Sequence, residues 1–214
     1  MSSRGLILGR IQNALTRVPA TGPNHIDDVE RRCLREHGTR DLDELVDLLA
    51  DNLADYRANF YHTAGAALPA LIARLLADRG ARQAVVPEGL PPEWTAAANA
   101  ELVPDDASRT AAELDLVDSV VTASALAIAE TGRIVLDGGP GQGRRRITLI
   151  PDHHICVVRV PDQVAASVPL ALRRLDPGRP LTWISGPSAT RDIEFERVEG
   201  VHGPRRLDVI PAMS

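Results

Sequence analysis

Residues 69–87, PALIARLLADRGARQAVVP, hold the change of period on which the fold assignment turns. Pro69 stands where a helix begins, Leu71, Ile72, Leu75 and Leu76 recur at helical spacing, and Gly80 stops the run. Ala84-Val85-Val86-Pro87 then reads as a short buried strand. A helix passed directly to a strand is the working half of a βαβ unit, and the pattern continues toward the C-terminus.

Toward the C-terminus, helices are expected over Pro92–Ala100 and Ser108–Leu116, with a buried strand at Ser119–Thr122 and a short helix at Ala123–Glu130. Ile134–Leu136 and Ile147–Ile150 read as two strands of a hairpin with a glycine-rich tip over residues 138–143. A strand at Ile155–Val160, a helix at Gln163–Leu175 and strands at Leu181–Ser185 and Leu207–Ile210 complete the series. Strands alternating with helices from Phe60 onward give an α/β class with a mainly parallel sheet covered on both faces. Toward the N-terminus the reading is helical: Leu42, Leu45, Val46, Leu49 and Leu53 share one face of Asp41–Tyr56. Leu6, Ile7, Ile11, Leu15 and Val18 form an amphipathic pattern, closed by the breaker cluster of residues 19–23. The expected organisation is a helical arm over 1–57 and an α/β domain over 58–214.

Composition narrows the function. With 214 residues, 44% hydrophobic and 25% charged, the chain can bury a core without staples. There is no lysine, which excludes a P-loop NTPase and lysine Schiff-base chemistry. Cys33 and Cys156 have no CxxC spacing, and two thiols are too few for an iron–sulfur cluster, which takes about four ligands. Cys156, inside Ile155-Cys156-Val157-Val158, reads as a small buried hydrophobe. No run reaches the ~20 apolar residues of a membrane helix, and docking of the N-terminal helix is preferred to a transit peptide, so the expected location is cytoplasmic. The net charge of −5 is uneven: residues 1–139 hold 13 arginines against 21 acidic residues, whereas residues 140–214 hold 11 against eight. An anionic ligand is therefore expected in the C-terminal third. The dense basic stripe and aromatic residues of a nucleic-acid binder are missing.

Within that third, Ser185-Gly186-Pro187-Ser188-Ala189-Thr190-Arg191-Asp192-Ile193-Glu194 follows a strand directly. Two hydroxyls, a glycine and free backbone N–H groups suit a phosphate or carboxylate, and a plain turn in which Ser188 or Thr190 caps a helix fits equally well. The glycines of 138–143 lack the GxGxxG spacing and read better as a hairpin tip than as a dinucleotide fingerprint. Glu130 is a candidate base or ligand contact at a helix end. Adjacent His153 and His154 point to opposite faces of a strand, which disfavours a metal and leaves surface or hydrogen-bonded histidines. A loop at Gly200–Pro204 could bring His202 to the site, and Arg144–Arg146 offer alternate side chains to an anion. Ser188 lacks the second glycine of a nucleophile elbow.

Four segments in order, Ala127–Gly132, Arg145–Pro151, Ser185–Glu194 and Gly200–Pro204, resemble the lactate utilization protein C family, also called the LUD domain. The resemblance covers about residues 60–210. It implies a Rossmann-like fold of the NagB/RpiA/CoA-transferase-like type and a part in oxidising L-lactate to pyruvate with two partner proteins. Those cysteine-rich partners would carry the iron–sulfur clusters, and this chain would bind no cofactor or metal itself. The resemblance adds Thr131, Gly132, Arg145 and Gly203 to Ser185, Gly186, Ser188, Thr190, Arg191, Asp192 and Glu194 as ligand-binding candidates, with Glu130 and His202 as catalytic ones. One departure stands out: Arg191 follows Thr190, where the family usually places arginine before the threonine. The alternative is a stand-alone enzyme of the same fold group acting on a phosphorylated or CoA-linked carboxylate, and either reading leaves room for a homo-oligomer.

Overall fold

The computed structural model describes residues 3–15, 35, 37–191, 197–199 and 203–213. The chain divides into two compact units, one over Met1–Leu34 and one over Arg35–Ser214, so the division falls before residue 57. In the first, α1 spans Ser3–Leu15, with Leu6, Ile7, Leu8 and Ile11 exposed.

The second unit opens with α2, Leu42–Asp55, whose start is fixed by a capping box between Asp41 and Glu44. Next come β1 (Asn59–Phe60), β2 (Thr63–Ala64), α3 (Leu68–Asp78) and β3 (Gln83–Val86). They are followed by β4 (Glu101–Pro104), α4 (Ala111–Asp115), β5 (Ser119–Ala123), β6 (Leu126–Ile128) and β7 (Arg133–Leu136). The series closes with β8 (His153–Val160), β9 (Val164–Ala165), α5 (Val168–Leu172), β10 (Thr182–Ile184), β11 (Ala189–Arg191), β12 (Arg197–Glu199) and β13 (Arg206–Met213).

The main sheet runs β1-β13-β8-β5-β3-β4, with β2 also beside β13, and every pairing in it is parallel. Alternate residues of β8 explain why it is central. Ile155 and Val157 pack with α3, whereas Cys156, Val158 and Val160 pack with α2 and the small sheet β10-β7-β6-β9. Both sets are almost wholly buried, and truncating Ile155 to alanine costs about 2–5 kcal/mol. Val46, Leu49 and Leu53 of α2 belong to this core, so this helix is part of the α/β unit rather than of an arm.

Several local expectations give way to tertiary pairing. Residues 92–100 form only a 3₁₀ turn at Pro92–Thr95, and β4 follows as an edge strand. Ala123–Glu130 is not a helix: β6 is buried between β7 and β9, and its backbone pairings override the helix preference of alanine. Gln163–Leu175 shortens to α5, capped by Ser167. The hairpin between Ile134–Leu136 and Ile147–Ile150 does not form. β7 pairs instead with β6 and with the distant β10, and Arg145–Thr148 is a 3₁₀ turn that buries Ile147 against Val85 and Val120.

The order of the main sheet fixes where a ligand can bind. The chain passes from β3 outward to β4, then returns to β5 on the other side of β3. Between β3 and β5 the winding reverses, and the carboxyl ends at such a point leave a crevice.

Candidate functional site

The glycine loop occupies that reversal point. The Ala123 N–H at the end of β5 donates to the Gly141 carbonyl at 2.7 Å, and the Gly141 N–H donates to the carbonyl of Glu88, after β3, at 2.8 Å. Beside this bridge lies a cleft of about 910 Å³, at the upper end of the volumes that hold small molecules. Glu88 and Gly89 line it from the end of β3, Asp105 and Ala107 from the end of β4, and Gly138, Gly139, Pro140 and Gly143 from the glycine loop. The glycine run is therefore a cleft wall.

The arginine turn supplies the cleft's positive charge. Arg144 donates through its backbone N–H and guanidinium to Asp105 and reaches the Asp106 carbonyl at 2.6 Å, which ties the turn to the end of β4. Hydrogen bonding to Asp105 pushes the Arg144 pKa up, against the effect of its partial burial. Arg179 pairs with Asp137 at 2.9 Å. Arg145 is exposed and has no ion pair among the described residues, so its charge is available to a ligand.

Arg145, Thr148 and Thr182 also line a second, adjoining pocket of about 190 Å³. Ser185, Gly186 and Ser188 of the expected Ser185–Glu194 loop and Gly203 of the Gly200–Pro204 loop complete it, together with Trp183 and His154. At about 30 Å³ per water this is room for roughly six waters, which suits a small carboxylate. Gly186 is required by close approach: a Cβ there would lie 2.5 Å from the Tyr56 carbonyl oxygen at the end of α2. The Ser188 N–H is satisfied by the Pro204 carbonyl at 2.8 Å, which joins the two loop segments.

Two features of the expected loop change. β10 pairs antiparallel in the small sheet, so the loop does not leave a strand of the parallel sheet. Among the described residues no helix follows either: β11 pairs antiparallel with β12, placing Thr190 opposite Val198 and Arg191 opposite Arg197. Asp192, Glu194 and His202 lie outside the described residues, as does Cys33.

Glu130, Thr131 and Gly132 form a 3₁₀ turn and its left-handed cap, and none of them lines either hollow. Burial raises the Glu130 pKa, but hydrogen bonds from the His37 backbone and ring (2.7 and 3.1 Å) outweigh it and, with the Arg40 charge, hold the carboxylate low. An ionised, doubly engaged carboxylate is a poor proton acceptor. Gly132 packs on α2, where a Cβ would meet Asn52 at 2.8 Å.

His153 and His154 are hydrogen-bonded and buried rather than surface groups. His154 shares a bond with Thr122 at 2.8 Å, and burial, aided by the neighbouring His153, pushes its pKa down to about 3. It meets the small pocket as a neutral ring, leaving Arg145 as the cation among the described lining residues. His153 faces the other way, between Ser119 and Asp208, each at 2.9 Å. This Ser-His-Asp string imitates a catalytic triad, but all three side chains are fully buried at the amino-terminal ends of their strands, and they line neither hollow. Its work is structural, satisfying buried polar groups. Burial raises the Asp208 pKa, and bonds from His153, Arg206 and Asn59 more than reverse that. The Cys156 thiol, fully buried, is pushed up to about 12, as expected of an inert core cysteine.

Sequence reasoning missed Arg179, Thr148 and the pairing of Arg144 with Asp105, and weighed His154 as a metal ligand rather than as a pocket wall. The basic excess after residue 139 was the available signal. Among the described residues no helix is long and apolar enough to cross a membrane, and no group of three histidine, cysteine or acidic side chains is placed to hold a metal.

Comparison with known proteins fits this architecture. Residues 46–210 match the LUD domain family model. A lactate utilization protein C from Deinococcus radiodurans is 46% identical over 170 residues, covering 78% of this chain and 79% of that protein. One from Shouchella clausii is 34% identical over 105 residues, covering 46% and 45%. A solved DUF162 family protein from Deinococcus radiodurans superposes with a TM-score of 0.66 at 37% identity, covering 82% of this chain and all of that one. With the parallel sheet, the bridged reversal point and a family match across most of its length, this chain belongs to the LUD domain family.

Proposed function

We propose that the chain is the non-redox subunit of an iron–sulfur-dependent L-lactate oxidation system and binds an anionic ligand beside Arg145. The observation that carries this reading is the 46% identity over 78% of the chain to a protein named for lactate utilization. The site adds chemical support. Arg145 has no ion pair among the described residues and stands where the wide cleft meets the small pocket, and a guanidinium can grip a carboxylate with two parallel hydrogen bonds. Two cysteines in the whole sequence support placing the iron–sulfur clusters in two cysteine-rich partner proteins.

The stand-alone reading, with Glu130 as base or nucleophile, has weaker support, since Glu130 is ion-paired and lines neither hollow. Purification of the tagged chain from cells grown on lactate separates the two. Recovery of iron–sulfur proteins with it, together with no lactate oxidation by the chain alone, supports the subunit reading. Turnover of lactate by the isolated chain would reject it.

A further inference from the structure

On the other side of the glycine loop lies a third hollow, of about 260 Å³. It opens where β5 and β8 end: Ser124 and Ala125 follow β5, and Arg159 is the penultimate residue of β8. Gly139, Pro140 and Arg179 line both this hollow and the wide cleft, so the loop is the partition between them.

Its walls carry three guanidinium groups, Arg159, Arg174 and Arg179, against the carboxylate of Asp137. What each arginine touches decides how much charge is left. Arg179 is matched by Asp137 at 2.9 Å, with Asp176 at 3.9 Å. Arg174 donates to the carbonyls of Val164, at 2.9 Å, and Asp162. Those bonds aim the group without neutralising it. Arg159 pairs with no carboxylate among the described residues. Its own strand is held in place from below, since the Arg159 N–H donates to the Gln163 side-chain oxygen at 2.8 Å. Gln163, buried, is locked in turn by the Ser124 hydroxyl at 3.2 Å and carbonyl at 2.6 Å. The hollow therefore has a hydrogen-bonded polar floor and two guanidinium charges that no carboxylate among the described residues answers.

We propose that this hollow is a second anion site, built for a dianionic phosphate group. Two uncompensated charges match a dianion, whereas a monocarboxylate such as lactate would leave one unanswered. Guanidinium forks also suit the several oxygens that phosphate presents. The group comes either as free phosphate or as the phosphate of a monoester. It is distinct from the Arg145 site and independent of partner proteins, so its failure and the failure of the lactate reading can be told apart.

Calorimetric titration of the full chain with inorganic phosphate, phenyl phosphate and acetate, at constant ionic strength, tests it. The expected result is one phosphate per chain, with binding weakened tenfold or more in Arg159→Gln, less in Arg159→Lys, and within twofold of wild type in Arg145→Gln. Tighter binding of phenyl phosphate than of phosphate identifies a monoester, and the reverse identifies free phosphate. Arg159 is exposed, so an unchanged urea midpoint is expected to show that Arg159→Gln is folded. Absence of phosphate binding to the wild-type chain, unaltered binding in Arg159→Gln, or acetate binding as tight as phosphate in Arg145→Gln, where the carboxylate site is removed, would each overturn the proposal.

Discussion

The Ala123 N–H and the Gly141 carbonyl meet at 2.7 Å, and through that bond the glycine loop closes over the end of the central strand β5. Gly141 can do this because it adopts φ +73°, a left-handed conformation that costs other residues about 1–2 kcal/mol. A Cβ there would also press on the Ala123 Cβ and the Gly89 carbonyl, both at 3.2 Å. Gly141→Ala is expected to lose about 1–2 kcal/mol of stability in urea unfolding. A midpoint equal to wild type would mean that the loop does not depend on this bridge.

Arg145 separates ligand binding from folding. Its exposed side chain has no ion pair among the described residues, so Arg145→Gln is expected to leave the unfolding midpoint within about 0.5 kcal/mol of wild type. Affinity for a carboxylate ligand should fall roughly tenfold, the loss of about 1.5 kcal/mol from a charged hydrogen bond. Lactate or pyruvate titration followed by the Trp183 fluorescence at the pocket wall measures it.

His154 makes stability depend on pH. Its folded pKa, pushed down to about 3, lies below the value of about 6.5 expected when unfolded. Between those values the unfolded chain takes up a proton that the folded chain refuses. This contribution is therefore intact above pH 6.5 and is lost as pH falls toward 3, at up to about 1.4 kcal/mol per pH unit. In His154→Gln the loss between pH 6.5 and 4.5 should shrink by about 2 kcal/mol in matched urea titrations. Parallel profiles for the two proteins would remove His154 as the cause.

Gly186 tests the seam between the loop and α2. Its absent Cβ leaves room for the Tyr56 carbonyl, and backbone cannot yield as a flexible side chain does. Gly186→Ala is expected to cost about 1–3 kcal/mol through overpacking. Protease nicking after Ser185 should also be faster in the variant, and identical nicking would contradict the contact.

The parallel sheet was legible because β3, β5, β8 and β13 are apolar runs that hydrophobic pattern alone identifies. β6 was not, because Ala127 and Ala129 favour helix locally and only β7 and β9, on either side, make them a strand and its turn. The same reason hid the real role of residues 138–143. Their glycines announce a tight path, but the destination, across the ends of β3 and β5, depends on contacts about 20 and 50 residues distant in sequence. Of the site, Arg145, Ser185, Gly186, Ser188 and Gly203 were legible from motif order and do come together. Glu130 was a natural choice by residue type, and its partners His37 and Arg40, about 90 positions earlier, could not be read from its neighbours.

Lactate-dependent reduction of an artificial electron acceptor, measured with the chain alone, with its co-purified iron–sulfur proteins, and with Arg145→Gln in place of wild type, decides whether the chain is a subunit of a lactate-oxidising system. A non-redox subunit with an anion site at Arg145 gives activity only in the assembled system and a clear fall with Arg145→Gln at unchanged co-purification. Lactate oxidation by the isolated chain, or full activity of the assembled system without it, would rule that role out.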